Sequence, residues 1–129
     1  MASVVRGVTE SGKKMKALVV EDEVLIRLNL CDMLEEMGFA TAQAANGNDG
    51  LAMLEQDAGI EVLIADLGLH GMPGEELVRR ARALRPQLTI IVASGRSGGA
   101  IARLAAETGA RYLGKPFDFA DLRSVVEQQ

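Results

Sequence analysis

Five short apolar runs recur along the chain: "ALVV" (17–20), "ATAQAA" (40–45), "EVLIAD" (61–66), "TIIVAS" (89–94) and "ARYLG" (110–114). Each is too short for an ordinary helix and rich in aliphatic or β-branched residues, which predicts buried strands, the run at 40–45 being the weakest. Between them the apolar step changes to three and four. The positions are Ile26, Leu30, Met33, Leu34 and Met37, then Leu51, Met53 and Leu54, then Leu77, Ala81 and Leu84, then Ile101, Leu104 and Ala105, and last Leu122, Val125 and Val126. That period predicts five amphipathic helices. Gly38, Gly59 and Gly109 stand where a left-handed residue closes a helix, and Pro86 follows another. Residues 1–14, "MASVVRGVTESGKK", keep no period and read as a flexible N-terminal tail, with Met15 a candidate start and the folded domain over 15–129.

Strict strand–helix alternation requires parallel strands, because each crossover helix returns the chain to the same edge of the sheet, and right-handed crossovers cover both faces. The expected class is therefore α/β, a doubly wound (βα)5 sheet. In such sheets a ligand site forms beyond the carboxyl ends of the strands, where the strand order reverses. Those ends carry Glu21, Asp22 and Glu23 after the first run, Asp66 after the third, Ser94 after the fourth and Lys115 after the fifth, while the second offers only Asn46. Carboxylates converging from two strand ends repel one another unless a cation lies between them, and hard oxygen ligands without His or Cys select Mg²⁺. A lysine and a hydroxyl on the same rim suit an anion bridged to that ion, phosphate above all.

Composition narrows the picture further. A chain of 129 residues with 48% hydrophobic content suits one core, and a net charge of -4 with few aromatics argues against direct nucleic-acid binding. Arg79, Arg80, Arg82 and Arg85 read instead as the solvated face of a helix whose Leu77, Ala81 and Leu84 turn inward. No stretch approaches the ~20 apolar residues of a membrane span, so a soluble, cytoplasmic chain without a membrane partner is expected. The single cysteine, Cys31, excludes an internal disulfide and falls beside the apolar stripe, where a partly exposed thiol is expected. His70, the one histidine, reads as a solvated loop residue, and Glu23 as part of an acidic first helical turn.

Taken in order, "LVVEDE", "LIADLGL", "IIVASG" and "YLGKPF" resemble the receiver domain of two-component response regulators over residues 15–129, with 44, 28 and 21 residues separating Asp22, Asp66, Ser94 and Lys115. The resemblance implies a flavodoxin-like fold with strand order 2-1-3-4-5 and Asp66 as phosphoacceptor. It also implies Mg²⁺ held by Asp22, Asp66, the Gly68 carbonyl and Glu21, the last through a water because glutamate replaces the commoner aspartate. Ser94 and Lys115 would meet the phosphoryl oxygens, and the Lys115–Pro116 bond would be cis. Ser94 and Tyr112 would form a switch, and Gly68 and Arg96 would tune the lifetime of the acyl phosphate. A sensor histidine kinase or histidine phosphotransferase would be the donor. A downstream protein, or a second copy in a homodimer, would read the fourth helix, fifth strand and fifth helix. Where this family usually carries proline, the chain has His70, and Pro73 comes late, so the loop after Asp66 departs from the pattern. An aspartate-nucleophile phosphatase of haloacid dehalogenase type is the runner-up, but Val24 stands where its second aspartate belongs. A flavodoxin-like cofactor module is the third reading, and no Gly-rich phosphate loop follows the first strand.

Overall fold

A computed structural model of the chain describes residues 14–95 and 98–128. The elements alternate as expected: β1 (Lys16–Val20), α1 (Val24–Glu36), β2 (Ala40–Ala44), α2 (Gly47–Gln56), β3 (Ile60–Asp66), α3 (Gly74–Leu84), β4 (Thr89–Ser94), α4 (Gly99–Thr108), β5 (Arg111–Gly114) and α5 (Phe119–Val126). All strand pairs are parallel, in the order β2-β1-β3-β4-β5. The chain thus reverses direction across the sheet between β1 and β3, as the resemblance implied. The expected tail and Arg96 lie wholly or largely outside the described residues.

Alternate strand residues divide between two cores because successive side chains point to opposite faces. Leu18, Val20, Leu63, Ala65, Ile90 and Val92 pack on one side with Leu54 of α2, Leu77 and Val78 of α3, and Leu104 of α4. Ala17, Val19, Val62, Ile64 and Ile91 pack on the other with Leu30 and Leu34 of α1 and Leu122 and Val126 of α5. Each fully buried aliphatic side chain contributes about 1.5–3 kcal/mol relative to exposure, so the two-sided sheet is the main store of stability. β2 is one of the two edge strands and is only partly buried, which explains its weak apolar signal.

Several local expectations change. Gly38 and Gly109 do adopt positive φ (98° and 73°), but Gly59 does not, because α2 ends at the extended Asp57 instead. Cys31 is buried, with 3% exposure, against Leu30 and Leu34. The stripe of α1 is wider than its three- and four-residue steps indicated, and burial pushes the Cys31 thiol up from its ordinary value. Leu84 is exposed at the last turn of α3. Arg82 and Arg85 are not simply solvated. Arg82 donates to the carbonyls of Thr108, Arg85, Pro86 and Leu88, and Arg85 to those of Leu54, Asp57, Ala58 and Ile60. Both guanidinium groups therefore satisfy carbonyls at helix ends and in the turns leading to β3 and β4.

Candidate functional site

Strand register decides which polar residues meet. Val20 pairs with Ala65, Asp66 with Ala93, and Ser94 with Gly114, so Glu21, Asp66, Ser94 and Lys115 follow one another along the carboxyl edge. β1 and β3 are neighbours at the reversal of strand order. Oxygens of Glu21, Asp22 and Asp66 there lie within 4.8 Å of one another.

Lys115 answers part of this negative charge. Its Nζ donates to Asp66 Oδ1 at 2.9 Å and lies 3.6 Å from Glu21 Oε1. Partial burial disfavours its ammonium, but Asp66 and Glu21 outweigh that and raise its pKa. The Lys115–Pro116 bond is cis. The backbone N–H of Lys115 donates to the Ser94 carbonyl, which also accepts from the Tyr112 hydroxyl at 3.2 Å. Ser94 is buried, whereas the Tyr112 ring is partly exposed.

Glu21 is 2% exposed, and its Oε1 has no hydrogen-bond partner among the described residues. Its Oε2 accepts the backbone N–H of Glu23, which occupies the N-cap of α1 rather than the first turn. Burial pushes the Glu21 carboxyl above its ordinary value, and the charge of Asp66 adds to the shift. A buried carboxylate oxygen without a hydrogen-bond donor, beside two further carboxylates, is a set of hard oxygen ligands that could hold a divalent cation, with the Lys115 ammonium answering part of the charge at 3.6 Å. Asp22 behaves oppositely. Burial works against its ionisation, yet hydrogen bonds from the His70 side chain, Glu21 and the His70 backbone hold the carboxyl below its ordinary value.

Some neighbours were not signalled by the strand-end pattern. A Cβ on Gly68 would lie 3.4 Å from Asp66 Oδ2, so this glycine leaves one face of the carboxylate uncovered. At Gly74 a Cβ would fall 2.6 Å from both the Asp66 carbonyl oxygen and Leu67 Cα, so only glycine lets α3 approach the backbone behind Asp66. Arg27 donates to the Glu21 carbonyl at 2.7 Å and ties α1 to the end of β1. The ring of His70 is exposed, as expected, but it is not idle: it contacts Asp22. Val24, Leu25 and Leu28 form an exposed apolar patch at the start of α1, with Leu25 78% exposed. The three- and four-step stripe could not flag them, because they lie off the buried face.

Fold and site together define a flavodoxin-like α/β domain whose switch point carries an acidic cluster that could hold a metal ion. The chain belongs to the response regulator receiver domain family, whose model matches residues 17–127, and it is a signalling domain of two-component systems. It is 30% identical over 122 residues to the sensor kinase CckA of Brucella abortus, covering 93% of this chain but 13% of that protein. Sporulation initiation phosphotransferase F of Bacillus subtilis is 27% identical over 114 residues, covering 88% and 91% of the two chains. Among solved structures, a Burkholderia pseudomallei response regulator with a phosphorylated aspartic acid, calcium ion and citrate superposes with a TM-score of 0.80. It is 28% identical, over 89% of this chain and 68% of that one. The phosphatase and cofactor-module readings find no support in these matches. Among the described residues no helix is long and apolar enough to cross a membrane.

Proposed function

We propose that Asp66 accepts a phosphoryl group from a phosphohistidine donor, that Asp22, Asp66, Glu21 and the Gly68 carbonyl hold Mg²⁺, and that Ser94 and Lys115 meet the phosphoryl oxygens. One observation carries the reading: carboxylates from two strand ends converge within 4.8 Å beside a lysine that already pairs with Asp66. Their mutual repulsion favours a divalent cation, and the lysine flank favours an anion. The phosphorylated aspartate and metal ion of the Burkholderia relative agree with this assignment.

In the transfer, an Asp66 oxygen attacks phosphorus, the P–N bond of the donor breaks, and its electron pair returns to the donor imidazole. When bound, Mg²⁺ supplies neutralisation of the phosphoryl charge. Lys115 is placed to follow that charge, since its ammonium needs only to turn from Asp66 Oδ1 to a new oxygen beside it. Glu21, deeply buried beside Asp22 and Asp66, would reach the ion through a water. Gly68 leaves room at Asp66 Oδ2 for the approaching group.

A donor protein must bring its histidine to this edge, and the apolar patch of Val24, Leu25 and Leu28 adjoins it. We assign that patch to the phosphohistidine-bearing domain, a sensor kinase or a phosphotransferase, acting in the cytoplasm. The output face is α4, β5 and α5. If Ser94 moves toward a phosphoryl oxygen, the hydrogen bond from Tyr112 to its carbonyl must readjust, and the apolar recess between Val92, Ile101, Leu104 and Ala105 is where the ring would turn. Gly98, at φ 116°, starts α4 in a conformation that side chains resist, which localises the rearrangement.

The test is incubation with acetyl phosphate and Mg²⁺ followed by intact-mass analysis. One acid-stable, alkali-labile phosphoryl adduct is expected on the wild type and none on Asp66→Asn. An adduct that survives the substitution places the acceptor elsewhere.

A further inference from the structure

His70 follows Asp66 by four residues in the loop between β3 and α3. Its side chain is 94% exposed, so apolar burial does not hold it in place. Two polar contacts do. Nδ1 lies 2.5 Å from Asp22 Oδ2, and the His70 backbone N–H donates to the same oxygen at 3.2 Å. An imidazole nitrogen facing an ionised carboxylate carries the hydrogen, so one residue supplies two donors to one oxygen. Asp22 cannot rotate its carboxylate without breaking both bonds. Oδ1 accepts neither of them, so with Asp22 as a ligand it is the oxygen that would face the cation.

We propose that His70 is a positioning residue for the metal: it holds Asp22 by Oδ2, presents the other carboxylate oxygen to the ion, and so sets part of the metal affinity from the β3–α3 loop. This rests on the reading of Asp22 as a metal ligand and extends it to a residue that does not itself touch the ion. The physical gain is pre-organisation. A carboxylate already fixed in its ligating orientation loses less rotational freedom when the ion arrives, and a donor on its far oxygen holds it there. Outer donors of this kind are worth roughly 10–100-fold in affinity at sheltered sites, so an exposed one is expected to be worth about three- to tenfold.

The inference separates from a competing arrangement of the same atoms. Were the imidazole occupying the place the ion must take, removing it would tighten metal binding. Were it a passive surface group, removing it would change nothing.

Backbone amide shifts of ¹⁵N-labelled protein would be followed as MgCl₂ is added at fixed pH and ionic strength, with no phosphoryl donor present. His70→Ala, at an exposed position, is expected to keep the amide spectrum of the folded domain and to weaken Mg²⁺ by about three- to tenfold. His70→Asn places an amide N–H at nearly the reach of Nδ1 and is expected to recover affinity to within about twofold of wild type. Unchanged or tighter binding by His70→Ala overturns the proposal, as does a His70→Asn variant no tighter than the Ala variant. Asp22→Ala is the control: if it binds Mg²⁺ as the wild type does, the metal assignment itself fails, whereas a loss there with no effect at His70 refutes the positioning role alone.

Discussion

Replacing Glu21 by glutamine should stabilise the metal-free protein while weakening its hold on Mg²⁺. Glu21 Oε1 is buried without a donor, and the carboxyl is pushed up first by burial and then by the charge of Asp66. Glutamine keeps the shape. Its carbonyl oxygen can accept the Glu23 N–H now bound to Oε2, and its amide group turns toward the carboxylates as a donor. A buried polar atom without a partner costs about 1–3 kcal/mol, so removing both that deficit and a like charge is worth roughly 1–2 kcal/mol, after allowing for the ion pair lost to Lys115. For a domain of this size that is a rise in Tm on the order of 5 °C. The pH dependence has a definite sign. Because the folded carboxyl titrates above the unfolded one, the native state keeps a proton that the unfolded chain has shed, and wild-type stability falls as pH rises through that window. The glutamine variant lacks this slope, so its advantage should be full at neutral pH and shrink as the pH is lowered toward about 4. Magnesium narrows the gap: an ion at ten times its Kd stabilises by about 1.4 kcal/mol, a gain the variant forfeits in part. Thermal melts of both proteins in chelator and in Mg²⁺, at neutral and acid pH, decide the matter. A variant no more stable than wild type at neutral pH in chelator, or one whose advantage is undiminished in acid, refutes the reasoning.

Arg85→Ala should destabilise the fold by about 2 kcal/mol, read as a lower urea midpoint, because four carbonyls at the end of α2 and the entry to β3 lose a charged donor. An unchanged midpoint would mean that water replaces the guanidinium without loss. Gly68→Asn places a side chain against Asp66 Oδ2 and should alter the acyl phosphate lifetime, with Arg96→Ala as the companion variant; unaltered decay in both would discard a lifetime role for these positions. Leu25→Ser should slow transfer from a phosphohistidine protein and leave labelling by acetyl phosphate at the wild-type rate, and equal slowing of both would place Leu25 in the chemistry rather than in docking. With beryllofluoride and Mg²⁺, amide shifts should extend from Asp66 through Ser94 and Tyr112 into α4; a response confined to the loops around Asp22 and Asp66 would break the proposed coupling.

Much of this molecule could be read in one dimension. The change of period from continuous apolar runs to three- and four-residue steps determined the ten elements, because a strand buried on both faces and a helix buried along one stripe demand different spacings. Alternation then required parallel strands, and the carboxyl ends of those strands named Glu21, Asp22, Asp66, Ser94 and Lys115 without reference to any contact. Strand order came from the family resemblance, since periodicity does not say which strand lies beside which.

What periodicity left undecided depends on distances between residues far apart in the chain. Cys31 lies beside a stripe on a helical wheel, but α1 sits deep enough against the sheet to bury it. Arg82 and Arg85 lie close to solvated arginines in sequence, but Arg85 binds carbonyls at the end of α2 and the entry to β3, and Arg82 reaches the Thr108 carbonyl at the end of α4, beside those of the turn that directly follows α3. Gly74 is required by an approach of α3 to the backbone at Asp66 and Leu67 that no spacing encodes. His70, an unremarkable loop residue in sequence, meets Asp22 across 48 positions because β1 and β3 are neighbours and their loops leave the same edge. Hydrophobic period reports the average environment of a face. Hydrogen bonds and close approaches are decided over a few ångströms, and those distances exist only once the crossovers have closed the sheet.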